Sequence, residues 1–183
     1  MKIARSLSFF AVVSSLFLFA GFMPNTTLPA YSLKFKIQGL KDKDTVILAN
    51  YYGDKQYVRD TAFANAKGEF TFEGKEKLQG GIYLVVLPNK QYFEIIVQEQ
   101  TFFMQTNMKD LTANMEVKNS VENKAFYEYL RYIVSQATKG EEIKKKLEKT
   151  KNEDSTRMLR EQGMGIERNI INYRNDFIKA NPT

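Results

Sequence analysis

Residues 80–106 read GGIYLVVLPNKQYFEIIVQEQTFFMQT, and the choice between strand and helix over this run decides the fold. Turn signals at Pro88-Asn89-Lys90 and at Gln98-Glu99-Gln100 cut it into three strand-length pieces. In the first, Ile82, Leu84 and Val86 point one way, and Tyr83, Val85 and Leu87 the other. A strand apolar on both faces calls for cover on both, which predicts a central place in a packed sandwich. So short an apolar run also fits a buried helix, but the flanking glycines, the proline and the β-branched and aromatic content favour strands.

The pattern extends upstream. Residues 32–39 alternate, with Leu33, Phe35 and Ile37 inward and Lys34, Lys36 and Gln38 facing water. Lysines along the wet face predict an edge strand. Asp42-Lys43-Asp44 turns the chain into an apolar strand at 45–52, and Gly53-Asp54 turns it again into a strand at 56–64. Asn65-Ala66-Lys67-Gly68 then leads to 69–73, where Phe70 and Phe72 share a face. About seven strands with turns roughly every ten residues predict an antiparallel β-sandwich or a partly open barrel.

The rest reads as helix. Asn119 with Glu122 resembles a capping box, and Val121, Phe126, Tyr129, Leu130 and Ile133 recur at helical spacing to about Ala137, where Gly140 ends the run. Residues 141–151 carry only Ile143 and Leu147 as apolar anchors. Their lysines read as a solvated helix face, with a membrane-surface or nucleic-acid role as the competing reading. From about Ser155 to Ala180, Leu159, Ile166, Ile170, Tyr173 and Phe177 form a stripe able to pair with the first helix, and Gly163 and Gly165 predict a kink or break. The expected class is α+β: a sandwich over 31–118, then a helical hairpin or bundle over 119–183.

Residues 1–30 have the layout of a signal peptide. Lys2 and Arg5 precede an apolar run, no charge returns until Lys34, and Ala30 suits cleavage. An uncleaved anchor is the competing reading, and a membrane is expected as a partner only through it. Either way the folded part is expected outside the cytoplasm.

Cysteine and histidine are both absent, which excludes a thiol nucleophile, a dithiol redox pair, a disulfide, a Ser-His-Asp triad and a His/Cys zinc site. No catalytic, metal-binding or cofactor-binding residue is therefore assigned, and a non-enzyme is expected. A carboxylate enzyme using two of Asp60, Glu69, Glu73, Glu94 and Glu99 stands third. The 27 basic and 21 acidic residues are interspersed, which argues against nucleic acid. Tyr51, Tyr52 and Tyr57 gather around the Gly53-Asp54 turn and, with Arg59, form a candidate binding surface for glycan or peptide. Core and turn packing is the competing role for the same residues.

Residues 33–39, Asp60-Thr61, the GEFTFEG run at 68–74, Tyr83-Leu84-Val85 and Asn119-Ser120-Val121-Glu122-Asn123 together resemble the N-terminal β domain of Bacteroidetes-type thiol:disulfide interchange proteins. The resemblance spans residues 33–182. It implies an exported β domain of unknown function and a helical segment placed before a thioredoxin-like domain. That domain and its Cys-x-x-Cys have no counterpart in this sequence, so no catalytic residue is carried over. The expectation is a non-enzymatic accessory or interaction domain in the periplasm or cell envelope of a Gram-negative bacterium, with a thioredoxin-like envelope protein as partner. A ligand-binding envelope protein is the alternative.

Overall fold

The structure, a computed structural model, describes residues 28–182. The leader expectation falls on residues 1–30, nearly all of them outside the described range. Eight strands precede two helices: β1 (Tyr31–Gln38), β2 (Thr45–Tyr52), β3 (Lys55–Phe63), β4 (Glu69–Gly74), β5 (Gly81–Val86), β6 (Tyr92–Val97), β7 (Thr101–Asn107), β8 (Glu116–Lys118), α1 (Val121–Lys149) and α2 (Glu153–Ala180). They form two four-stranded sheets, sheet A in the order β4-β1-β7-β8 and sheet B in the order β3-β2-β5-β6. The three pieces of 80–106 are β5, β6 and β7, and the two predicted turns separate them.

Strand alternation builds the core. Leu33, Phe35 and Ile37 of β1, Phe70 and Phe72 of β4, and Phe102 and Met104 of β7 meet Val46 and Leu48 of β2, Tyr83 and Val85 of β5, and Phe93 and Ile95 of β6. Each such side chain contributes roughly 1.5–3 kcal/mol when taken out of water. Phe35 is the hub, stacked on Phe70 at 5.1 Å and edge-on to Phe72, Phe93 and Phe102 within 6.2 Å.

Several expectations need correction. β1 is not an edge strand: it lies between β4 and β7, so Lys34, Lys36 and Gln38 line an outer sheet face rather than guard an edge. Nor are the sheets wholly antiparallel, because β1 and β7 pair in parallel from Ser32↔Thr101 to Gln38↔Asn107. The eighth strand, β8, spans three residues, too few to show alternation. β5 is central as expected, but its outer face is only partly covered: Leu84 is buried while Ile82 is 53% exposed.

The helices differ too. The N-cap of α1 is Ser120, whose hydroxyl accepts from the Asn123 N–H, while Asn119 takes a left-handed φ of 62° just before it. Gly140 does not end α1, which runs on to Lys149, and α2 passes Gly163 and Gly165 without a break. Tertiary pairing outweighs the glycine penalty: Tyr132 stacks on Tyr173 at 3.8 Å, and Tyr129 contacts Phe177 at 4.8 Å. The expected helical hairpin forms, with only the first turns of α1 seated on the sandwich. There Asn123 is fully buried; its Oδ1 accepts from the Ile96 N–H at 2.8 Å and its Nδ2 donates to the Ile96 carbonyl at 2.6 Å. One turn on, the Tyr127 hydroxyl donates to the Glu94 carbonyl at 2.7 Å. Helix side chains thereby satisfy three outward backbone groups of β6.

Three substitutions test this reading by thermal or urea unfolding. Gly68 has a φ of 73°, and a Cβ there would collide with the Ile37 carbonyl oxygen, so Gly68→Ala is expected to cost about 3 kcal/mol. Gly140→Ala meets nothing within 4 Å and should stabilise by about 0.5–1 kcal/mol. Asn123→Ala strands both Ile96 backbone groups and should cost about 2–4 kcal/mol.

Candidate functional site

The tyrosine-bearing turn is the tip of the β2–β3 hairpin. Pairing of β2 with β5 reaches only from Ile47 to Asn50, so the hairpin beyond it overhangs the sandwich. Cross-strand partners share a face, and here they separate the candidates. Tyr51 stands opposite Gln56, whose Nε2 donates to its hydroxyl at 3.0 Å, whereas Tyr57 stands opposite Asn50 on the other face. Tyr52 ends β2 opposite Lys55. Arg59 is the extra residue of a bulge, because Leu48 pairs with Asp60 and Ala49 with Val58. Tyr51 and Tyr57 are each about half exposed. Tyr51 and Tyr57 thus share one hairpin but stand on opposite faces of it.

A second polar group lies under the hairpin's base. The Tyr31 hydroxyl of sheet A donates to Asp60 Oδ2 of sheet B at 2.8 Å, and Asp60 Oδ1 also accepts from the Thr61 N–H. Burial pushes the Tyr31 phenol up, the Asp60 carboxylate adds to it, and its pKa reaches about 12. Burial raises Tyr83 as well, partly offset by the Arg59 charge. Asn50 Oδ1 is buried without a hydrogen-bond partner. The sequence offered Asp60 only as one of five carboxylates for a candidate pair, because no local spacing links it to Tyr31, twenty-nine residues away.

A broad hollow lies elsewhere, on the outer face of sheet A. It measures about 900 Å³ and opens over the ends of β1 and β7, between the β3–β4 turn and the loop before β8. Lys36, Lys67 and Arg131 supply its cations, and Gln38, Gln105 and Asn107 its floor of carboxamides. Lys36 Nζ sits 3.6 Å from Glu69 Oε1, and Gln105 Nε2 donates to Glu116 Oε2 at 2.7 Å. The Asn65 amide holds the exposed Glu69 carboxyl below its usual range; Lys36 and Lys67 reinforce this. No sequence signal pointed here, since the hollow draws on strands and loops far apart in the chain.

The remaining carboxylates are dispersed and several have structural duties. Glu99, in the β6–β7 turn, accepts from the Ser120 hydroxyl at 2.7 Å and the Val121 N–H at 2.8 Å, capping α1. Burial pushes its pKa up, but these donors and the Glu122 carboxyl outweigh that and hold it below the ordinary value. Sharing a proton with Glu99 raises Glu122 in turn. Glu94 lies on the outer face of sheet B opposite Leu84. Among the described residues no group of three acidic side chains converges as a metal site, and no helix is long and apolar enough to cross a membrane.

Fold and surfaces together define an α+β sandwich with a long helical arm. Residues 31–126 match the family described as Domain of unknown function (DUF4369), more than half of the sequence, and the chain belongs to that family. No curated protein matches it. Among solved structures, that of (S)-allantoin synthase aligns at 7% identity over 48% of this chain and 43% of its own, with a TM-score of 0.34. A likeness that slight carries no argument about fold or function.

The Tyr31–Asp60 bond between the sheets carries its own pH signature. The folded phenol titrates at about 12, above its ordinary 10.0, so its contribution to stability is complete below the lower value and fades as pH rises toward the higher. Tyr31→Phe should flatten the alkaline limb of a stability–pH curve over that window, read by urea unfolding.

Proposed function

We propose that this chain is an exported, non-enzymatic interaction module that docks a thioredoxin-like envelope protein. The observation that supports it best is the outer face of sheet B. Val58, Phe63, Ile82 and Tyr92 are each more than half exposed there, around the buried Ala49 and Leu84. The registers Ala49↔Leu84, Ala49↔Val58 and Val86↔Tyr92 put all but Phe63 in adjoining rows of one face, and Phe63 follows at the rim opposite Thr45. Glu94 and Thr61 interrupt the face, but exposed apolar side chains gathered on one sheet in this number are characteristic of a protein contact rather than of a solvated surface. The partner's class comes from the sequence resemblance to the front part of thiol:disulfide interchange proteins. In this reading the chain contributes a surface, and the redox chemistry belongs to the partner.

A second reading rests on the overhanging hairpin, where the exposed Tyr51 and Tyr57 suit stacking on a sugar or a peptide. One set of variants separates the two. Ile82→Glu with Tyr92→Glu should lower affinity for a thioredoxin-fold envelope protein by about a hundredfold in biolayer interferometry, with an unchanged melting temperature. Tyr51→Ala should leave that affinity intact. Loss of binding with Tyr51→Ala alone, or saturable binding of a neutral glycan abolished by it, would favour the hairpin instead.

A further inference from the structure

We infer that the outer face of sheet A is a binding track for an acidic oligosaccharide, a chain of sugars bearing carboxylates. This goes beyond the docking role, because it uses the opposite sheet and a different chemistry.

The first argument is shape. Hollows of about 540 Å³ and 290 Å³ adjoin the large one: the former shares Lys36 and Gln105 with it, the latter Glu116 and Arg131. Together they run across β1, β7 and β8 to the first helix. A site for a compact metabolite is a single enclosed pocket, whereas a continuous open track suits an extended chain.

The second argument is charge. Lys34, Lys36, Lys67, Lys118, Lys124 and Arg131 line the track against Glu69, Glu116 and Glu128. Cations therefore outnumber carboxylates two to one. Two of the three acids are already engaged, Glu69 by Lys36 and Asn65 and Glu116 by Gln105. At 3.6 Å the Lys36–Glu69 pair is long and exposed, and a ligand carboxylate can replace its acid at little cost.

The third argument is the neutral lining. Gln38, Gln105, Asn107 and Asn114 stand among the cations. A carboxamide offers a donor and an acceptor side by side, the complement of a sugar hydroxyl, which also does both. A track for phosphate alone would need only donors. Among the described residues lining the track, Phe103 is the aromatic side chain that turns outward, with Lys118 Nζ lying 5.7 Å over its ring, while Phe35, Phe70 and Tyr127 border it from the buried side. Single-stranded nucleic acid is held on successive stacking platforms, and this face offers at most one. An acidic, hydroxyl-rich chain is the ligand that uses charge, amides and a single ring together.

Isothermal titration calorimetry of the full chain at low ionic strength tests the inference. The probes are a galacturonate oligomer, a neutral galactose oligomer of equal length, polyglutamate and an oligothymidylate of matched charge. The galacturonate oligomer is expected to bind saturably and at least about tenfold more tightly than the other three. Lys36→Ala with Lys67→Ala should weaken it about tenfold or more, and Gln38→Ala about threefold, with far-UV circular dichroism melts unchanged. Lys36→Arg should retain binding. The sheet B variants Ile82→Glu and Tyr92→Glu should not alter it, which keeps this test separate from the docking reading. Absence of galacturonate binding, equal binding by the double variant, or polyglutamate or oligothymidylate binding as tightly would overturn the inference.

Discussion

The architecture depends on how one strand edge is closed. β6 ends sheet B, and its outward backbone groups would otherwise be open to pairing with another chain. Asn123 meets the Ile96 N–H and carbonyl as a neighbouring strand would, and Tyr127 takes the Glu94 carbonyl. Both residues sit in the first two turns of α1, so closing the edge also fixes the direction of a helix of twenty-nine residues. Glu99 and Ser120 reinforce the joint from the turn and the cap. Half-buried Phe126 and Leu130 then seal the side of the core. The helical arm is therefore a continuation of the sandwich's hydrogen bonding, not an appendage on a loose linker.

The two sheets expose faces of opposite character. On sheet A the outward positions of β1 and β7 are Lys34, Lys36 and Gln38 beside Phe103, Gln105 and Asn107, with charges and amides predominating. On sheet B the corresponding positions of β2 and β5 are Ile47, Ala49, Leu84 and Val86. One core serves both, since in each sheet the alternate residues point inward to the Phe35 hub. A fold of this kind can carry two independent surfaces without either constraining the packing of the other.

Much of this was legible in the chain. The bounds of β2 and the turns around 88–90 and 98–100 follow from alternation and turn residues, because those signals are local. What local signals miss is partnership. The lysines of β1 read as an edge strand, since sequence shows which face is wet but not which strands lie to either side. Gly140 read as a stop, because the second helix against which α1 pairs, through Tyr132 and Tyr173 among others, lies far along the chain and leaves no local mark at the glycine. Asn119 read as the cap, although Ser120 one place on does the work, a shift that depends on a left-handed φ. The polar track drew on β1, β7, the β3–β4 turn and α1 together, and no single stretch announces such an assembly. The tyrosine cluster shows the converse: adjacency in sequence put Tyr51 and Tyr57 on opposite faces of the same hairpin.

The parallel pairing of β1 with β7 has a kinetic corollary. Ser32 and Thr101 lie sixty-nine positions apart, so the first strand stays half-paired until most of the sandwich has been made. Such long-range closure is slow compared with the forming of hairpins. The β2–β3 and β5–β6 units can zip up early from contacts between neighbours, while sheet A waits for its two distant central strands to meet. A chain built this way stays unfinished, and therefore threadable, through most of its own synthesis.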